Sequence, residues 1–252
     1  MAAYVSHMIM ADELYEKIDY RRVSRNYLRT FSLGGDLSKY SKCRRLSHRT
    51  KLKEFIYNMC DYIKEKKLIH DKEIIGVLYG HICHVEMDKY MHPLVWELEK
   101  RSMDVGFKKH TLIEGYIDYY LVKYKYDIDI SKYNNKDMFR GRMKLKIFKM
   151  INHVYFQTYG IKRVGFSYIF CRFLLSNVDL LYVFLGRKLL VKFSKFDKYK
   201  RVNKLDLVND RKRIYYKNFD GVKCNDSLME LYYKSIEESI KKIDEVNKYL
   251  YE

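Results

Sequence analysis

The chain has 252 residues, a net charge of +18 and 48% apolar side chains, enough to close a sizeable core. Its five cysteines, Cys43, Cys60, Cys83, Cys171 and Cys224, are scattered and odd in number. That pattern excludes a disulfide-stapled secreted scaffold and points to reduced thiols in a cytoplasmic compartment.

The N-terminal MAAYVSHMIMADELYEKIDY has no basic segment followed by an apolar run, so it does not read as a signal peptide. FSLGGDLSKYSKC (31–43) reads as a loop. Residues 49–66 carry Leu52, Phe55, Ile56, Met59 and Ile63 at three- and four-residue spacing, the mark of an amphipathic helix. A long helix is expected over 71–101, with Pro93, the chain's only proline, removing one backbone hydrogen bond and kinking it. Leu112, Ile113, Tyr116, Ile117 and Tyr120 predict a helix over 108–125, followed by a loop at 126–137. Helical patterns continue over 138–157 and 164–185.

Residues 164–186 are strongly apolar but are interrupted by Arg172 and Asp179, with a break at Ser176-Asn177. Charges at the centre of a membrane span are costly, so two buried core helices are the expectation. The stretch 194–224 reads as a basic loop with a short strand or turn around NFDG (218–221). Ser227 and Glu230 make a capping box for a last helix, whose core stripe runs through Leu228, Leu231, Tyr232, Ile236, Ile240, Ile243 and Leu250. With neither repeat nor linker, the fold class is all-α, one domain over 1–252.

The positive charge has two readings. It suits a phosphate-bearing partner, nucleic acid or an anionic membrane surface, which would make the protein peripheral to the membrane. A chain rich in Lys, Tyr and Ile is also what an AT-rich genome encodes. The excess is concentrated in residues 186–217, with twelve Lys/Arg against three Asp, interleaved with aromatics.

The histidines carry the chemistry. In HICHVEMDKYMHP (81–93), His84, Asp88 and His92 are spaced four apart, so on a helix they share a face about 80° wide. Such a face suits zinc, which takes imidazole nitrogen and carboxylate oxygen; a polar, internally paired helix face fits equally well. His110 and Glu114 form a second such pair on the next helix, with Asp118 extending the face. His48 opens the 49–66 helix, Asp36 lies in the GGD turn, and His7 stands near the N-terminus. His70 and His153 lack this context.

In order, these elements are YVSH (4–7), LGGD (33–36), SH (47–48), GHICHVEMDKYMHP (80–93) and HTLIEGYIDYYL (110–121). The series resembles the zinc-dependent phospholipase C family, especially its short bacterial members without signal peptides. RIYYKNFDGVKCNDSLMELYYKSIEESI resembles the family's tail. The family is similar in fold to the fungal zinc-dependent single-strand nucleases, and the resemblance implies a zinc cluster in a cleft between helices. It implies His48 and His84 as ligands of one zinc and Asp88 as a carboxylate bridging two. His92, His110 and Glu114 would hold a zinc that stands apart, and His7 a third shared with Asp88. Asp36 would be a ligand or the group handling the attacking water. His81 and Asp118 would stand beside the ligands as supporting groups, Asp118 fixing His110 or a nearby lysine.

The secreted relatives complete one zinc with the amine of a mature N-terminal tryptophan. Here the only tryptophan is Trp96, and loss of Met1 would set the Ala2 amine five residues before His7. The implied cofactor is therefore two or three Zn2+ ions. The implied activity is hydrolysis of a phosphodiester by a zinc-bound hydroxide, with Asp36 and Asp88 at the catalytic centre and a phospholipid headgroup as substrate. The alternatives are a single-strand nuclease of the same fold and a non-catalytic helical protein that binds metal or a polyanion.

Overall fold

The computed structural model describes residues 4–42, 50–101, 109–133, 140–177, 208–211 and 213–252. The described part is mostly helical: α1 (Tyr4–Tyr15), α2 (Arg25–Phe31), α3 (Leu52–Glu65), α4 (Lys72–Arg101), α5 (Lys109–Tyr126), α6 (Leu145–Tyr159), α7 (Val164–Asn177) and α8 (Leu228–Tyr251). A 3-10 turn covers Gly34–Ser38, inside the stretch expected as loop. The strands β1 (Tyr216–Lys217) and β2 (Lys223–Cys224) pair antiparallel around the expected NFDG turn. Asn218 shapes that turn by accepting hydrogen bonds from the backbone N–H groups of Asp220 and Val222.

Helix α4 is the axis of the fold. Its first half, Ile74–His84, is buried on every side rather than along one stripe. A helix apolar all round must be enclosed, and α1, α2, α3, α5 and α8 all pack against it. It continues past Pro93 to Arg101. The ring removes one N–H donor from the helix without ending it.

Two glycines control how closely the chain approaches α4. A Cβ at Gly80 would lie 2.6 Å from the backbone carbonyl carbon of Phe31, so α2 can seat only against a bare α-carbon. Gly34, at φ +37°, has its α-carbon so close to the His84 ring that a Cβ would lie 2.4 Å from Cγ. Both contacts press the α2–turn segment, and with it Asp36, onto the histidine-bearing stretch of α4.

The expected apolar stripes are buried. Phe55, Ile56, Met59 and Ile63 of α3 enter the core, as do Ile113 and Ile117 of α5 and most of the α8 stripe. The capping box forms: the Ser227 N–H donates to Glu230 Oε2 at 2.7 Å, and the Glu230 N–H donates to Ser227 Oγ at 3.3 Å. The expectation of buried core helices at 164–186 needs correction. α7 buries Tyr168 and Cys171 but exposes Phe166, Ile169, Phe170 and Phe173. Residues 178–186 lie outside the described part. No described helix is long and apolar enough to cross a membrane.

Replacing Gly80 by alanine sets a methyl group against main chain rather than against a flexible side chain. The Gly80→Ala variant is expected to lose roughly 1–3 kcal/mol in urea-induced unfolding. A loss under about 0.5 kcal/mol, the size usual for an indifferent surface change, would mean that α2 can back away freely.

Candidate metal centre

The ligand-type residues come from separate elements and meet around Asp88. His84, Asp88 and His92 follow one another on α4 at one-turn spacing. His7 arrives on α1, Asp36 on the 3-10 turn, and His110 and Glu114 on α5. His7, Asp36 and His84 offer ligand atoms within 4.8 Å of one another, and so do His92, His110 and Glu114.

Asp88 stands between the two groups. Its Oδ1 lies 3.3 Å from His7 Nε2 and 3.3 Å from His92 Nδ1, and its Oδ2 lies 3.4 Å from His84 Nε2. One carboxylate thus meets three imidazoles, two from the first group and one from the second. His92 turns its other nitrogen, Nε2, toward Glu114 Oε1 at 3.8 Å, and His110 Nε2 reaches the same oxygen at 3.1 Å.

The donor set suits a divalent cation. His7 is buried, and its Nδ1 has no hydrogen-bond partner among the described residues. An unpartnered buried imidazole nitrogen is costly in a protein interior. Burial pulls the His7 pKa down, but the carboxylates of Asp88, Asp36 and Asp118 outweigh it and the net direction is up. The hydrogen bond to Glu114 raises His110 against a smaller opposing effect of burial. Imidazoles held among carboxylates in this way attract positive charge, whether protons or a metal ion.

Asp118, expected at His110 or a nearby lysine, meets Ser6 among the described residues. It accepts the Ser6 N–H at 2.8 Å and also the Ser6 hydroxyl, fixing the first turn of α1 directly before His7. Beside Glu114, a second carboxylate reaches His110: Glu99 Oε2 lies 3.2 Å from Nδ1. With Nδ1 held by Glu99, the ring presents Nε2 to Glu114, the way a carboxylate orients a ligating histidine. Glu99 lies seven residues after His92, two turns along the same face of α4, and that spacing is the sequence signal that could have found it.

His81 lies apart from the cluster. Its Nδ1 donates to the Val77 carbonyl at 2.9 Å, and its Nε2 lies 2.9 Å from the Tyr168 hydroxyl. Tyr168 also meets the Gly34 carbonyl at 3.0 Å and the Tyr155 hydroxyl at 2.9 Å. This network ties α4, α6 and α7 to the turn that carries Asp36. Burial pushes the His81 pKa down to about 4, so the ring is neutral at ordinary pH.

Trp96 lies tilted against His92, with ring centroids 5.7 Å apart, and meets Phe219 of the hairpin edge-on at 5.3 Å. His48, Ala2 and most of the basic 186–217 stretch lie outside the described residues.

Comparison with known proteins finds no family model, no curated protein and no solved structure that matches this chain.

Asp118→Ala leaves two donors of Ser6 without their acceptor and should cost about 1–3 kcal/mol of stability. It should also weaken zinc binding by roughly 10-fold or more, read by competition with a chelating dye. Unchanged zinc affinity would separate Asp118 from His7.

His81 sets a pH dependence. Its folded pKa, about 4, lies below the ordinary 6.5, so the unfolded chain binds its proton first as pH falls. The stability tied to neutral His81 is complete above about pH 6.5 and is lost between there and about pH 4, a change of roughly 3 kcal/mol. Thermal melts with zinc chelated throughout should show the wild type losing that much more than His81→Gln over this window. Parallel curves would contradict the assignment.

Proposed function

We propose that the protein is a zinc-dependent phosphodiester hydrolase of the phospholipase C type, acting on a phospholipid headgroup. One observation carries the reading: the Asp88 carboxylate lies between a His7/Asp36/His84 group and a His92/His110/Glu114 group, with imidazoles on both of its oxygens. A structural zinc needs only four enclosing ligands from one group. Two adjacent groups that share a carboxylate are what an in-line displacement at phosphorus calls for. The motif order from YVSH to HTLIEGYIDYYL supports the same reading.

His7, Asp36, His84 and Asp88 would hold one zinc, and His92, His110 and Glu114, with Asp88 beside them, a second. Zinc held there supplies a strong positive charge for the phosphate oxygens and lowers the pKa of water toward neutrality.

The chain's own groups do the rest. Asp88 keeps the imidazoles of both groups facing one small volume. Glu99 and Asp118 hold His110 and His7 against rotation and displacement. Asp36 faces the same volume as His7 and His84, on a turn pinned by Gly34 and Tyr168. It acts either as a metal donor or as the base that takes a proton from the attacking water. Hydrolysis joins the water oxygen to phosphorus, breaks the bond to the leaving alkoxide and returns a proton to that oxygen.

The test is a panel of phosphodiesters offered to the zinc-loaded protein: phospholipids, single-stranded nucleic acid and a chromogenic diester. Headgroup release is expected. Asp88→Asn keeps the volume but removes the charge, and should lower turnover by on the order of 100-fold. Asp88→Asn as active as the wild type would sink the proposal. Cleavage of nucleic acid without lipid hydrolysis would assign the chain to the nuclease-type relatives instead.

A further inference from the structure

Helix α7 has two faces with different tasks. Its inner face grips the turn that carries Asp36. The Tyr40 N–H donates to Ser167 Oγ at 3.0 Å, and the Ser167 hydroxyl donates to the Leu37 carbonyl at 3.0 Å. The Tyr168 hydroxyl meets the Gly34 carbonyl, and the Cys171 thiol points at the Asp36 carbonyl at 3.7 Å.

Among the described residues its outer face is apolar and exposed. Phe166, Ile169, Phe170 and Phe173 are 60%, 42%, 48% and 60% exposed. They fall at i, i+3, i+4 and i+7, one continuous stripe. Tyr40 extends it, edge-on to Phe170 at 5.0 Å, and Phe148 of α6 widens it, edge-on to Phe166 at 5.1 Å. Single exposed apolar residues need no explanation, but a contiguous aromatic stripe does.

The charge of the segment that carries the stripe selects what covers it. Residues 140–177 hold eight Lys/Arg and not one Asp or Glu, although the chain has 32 acidic residues elsewhere. Lys144 and Lys146 pair with Glu73. Arg142, Lys149, Lys162 and Arg163 are exposed. A second copy of the chain would set one carboxylate-free basic segment against another and be repelled. Single-stranded nucleic acid would satisfy the charge, but Ile169 breaks the row of rings on which successive bases would stack. An anionic bilayer supplies both partners, acyl chains for the stripe and negative headgroups for the cations around it.

We propose that the outer face of α7, with Tyr40 beside it, is a docking surface for an anionic phospholipid bilayer. A bilayer seated there lies about one helix diameter, roughly 10 Å, from the backbone of the Asp36 turn. The proposal extends the phospholipase C-type reading, and rests on it for the meaning of that closeness. The docking itself is measured without turnover.

The experiment is co-sedimentation of the full chain with phosphatidylcholine vesicles, with and without phosphatidylserine, at low and high salt. Binding to the serine-containing vesicles and its weakening by salt are expected. The double variants Phe166→Ser/Phe170→Ser and Lys149→Glu/Lys162→Glu should each bind about 10-fold more weakly or worse. Both should keep the wild-type melting temperature and the wild-type rate on a soluble chromogenic diester, since all four side chains are exposed or outside the metal centre. Absence of vesicle binding, or binding equal in wild type and variants, would overturn the proposal. So would an α7-dependent dimer, or α7-dependent retention of single-stranded DNA in place of lipid. Diester hydrolysis without vesicle binding would defeat the docking surface alone, and vesicle binding without diester hydrolysis would defeat the catalytic reading alone.

Discussion

The carboxylate of Asp88, set among the imidazoles of His7, His84 and His92, is the contact on which the arrangement of the helices turns. It sits on a helix that other helices enclose on most sides. Polar groups carried into such an interior cost several kcal/mol unless each finds a partner. The neighbouring elements are arranged to supply partners. α1 brings His7, the turn after α2 brings Asp36, and α5 brings Glu114 and His110. The close approaches at Gly34 and Gly80 follow from the same demand, because a turn that must deliver a carboxylate to α4 leaves no room for side chains between.

Much of this could be read from the sequence. The four-residue spacing from His84 through Asp88 to His92 put those groups on one helix face. The apolar stripes of α3, α5 and α8 and the Ser227–Glu230 capping box are local signals, and the structure contains them. Contacts between distant parts of the chain were not legible. Asp118 is 112 residues from Ser6, and no local pattern announces that pair. His81 is a histidine like His7, His84 and His92, yet its hydrogen-bond partners are Val77 and Tyr168, so its task is to hold the Asp36 turn in place. Glu99 was within reach of a helical-spacing argument, but its contact depends on where α5 lands.

Helix α7 shows a different limit. Its composition suggested burial, because hydropathy counts apolar residues without saying which side of a helix meets the core. The helix instead divides its apolar residues between an inner face on the Asp36 turn and an outer face toward solvent. Lying in a segment without carboxylates, that outer face would join the proposed lipid contact to the proposed headgroup chemistry within one helix.

We propose two metal ions, one on either side of Asp88. The direct measurement is anomalous X-ray scattering from crystals of the zinc-loaded protein, with data on both sides of the zinc absorption edge. One peak is expected among His7, Asp36, His84 and Asp88 and another among His92, His110 and Glu114. A zinc-loaded crystal with no peak at either position, or with zinc only on surface histidines such as His70, would contradict it.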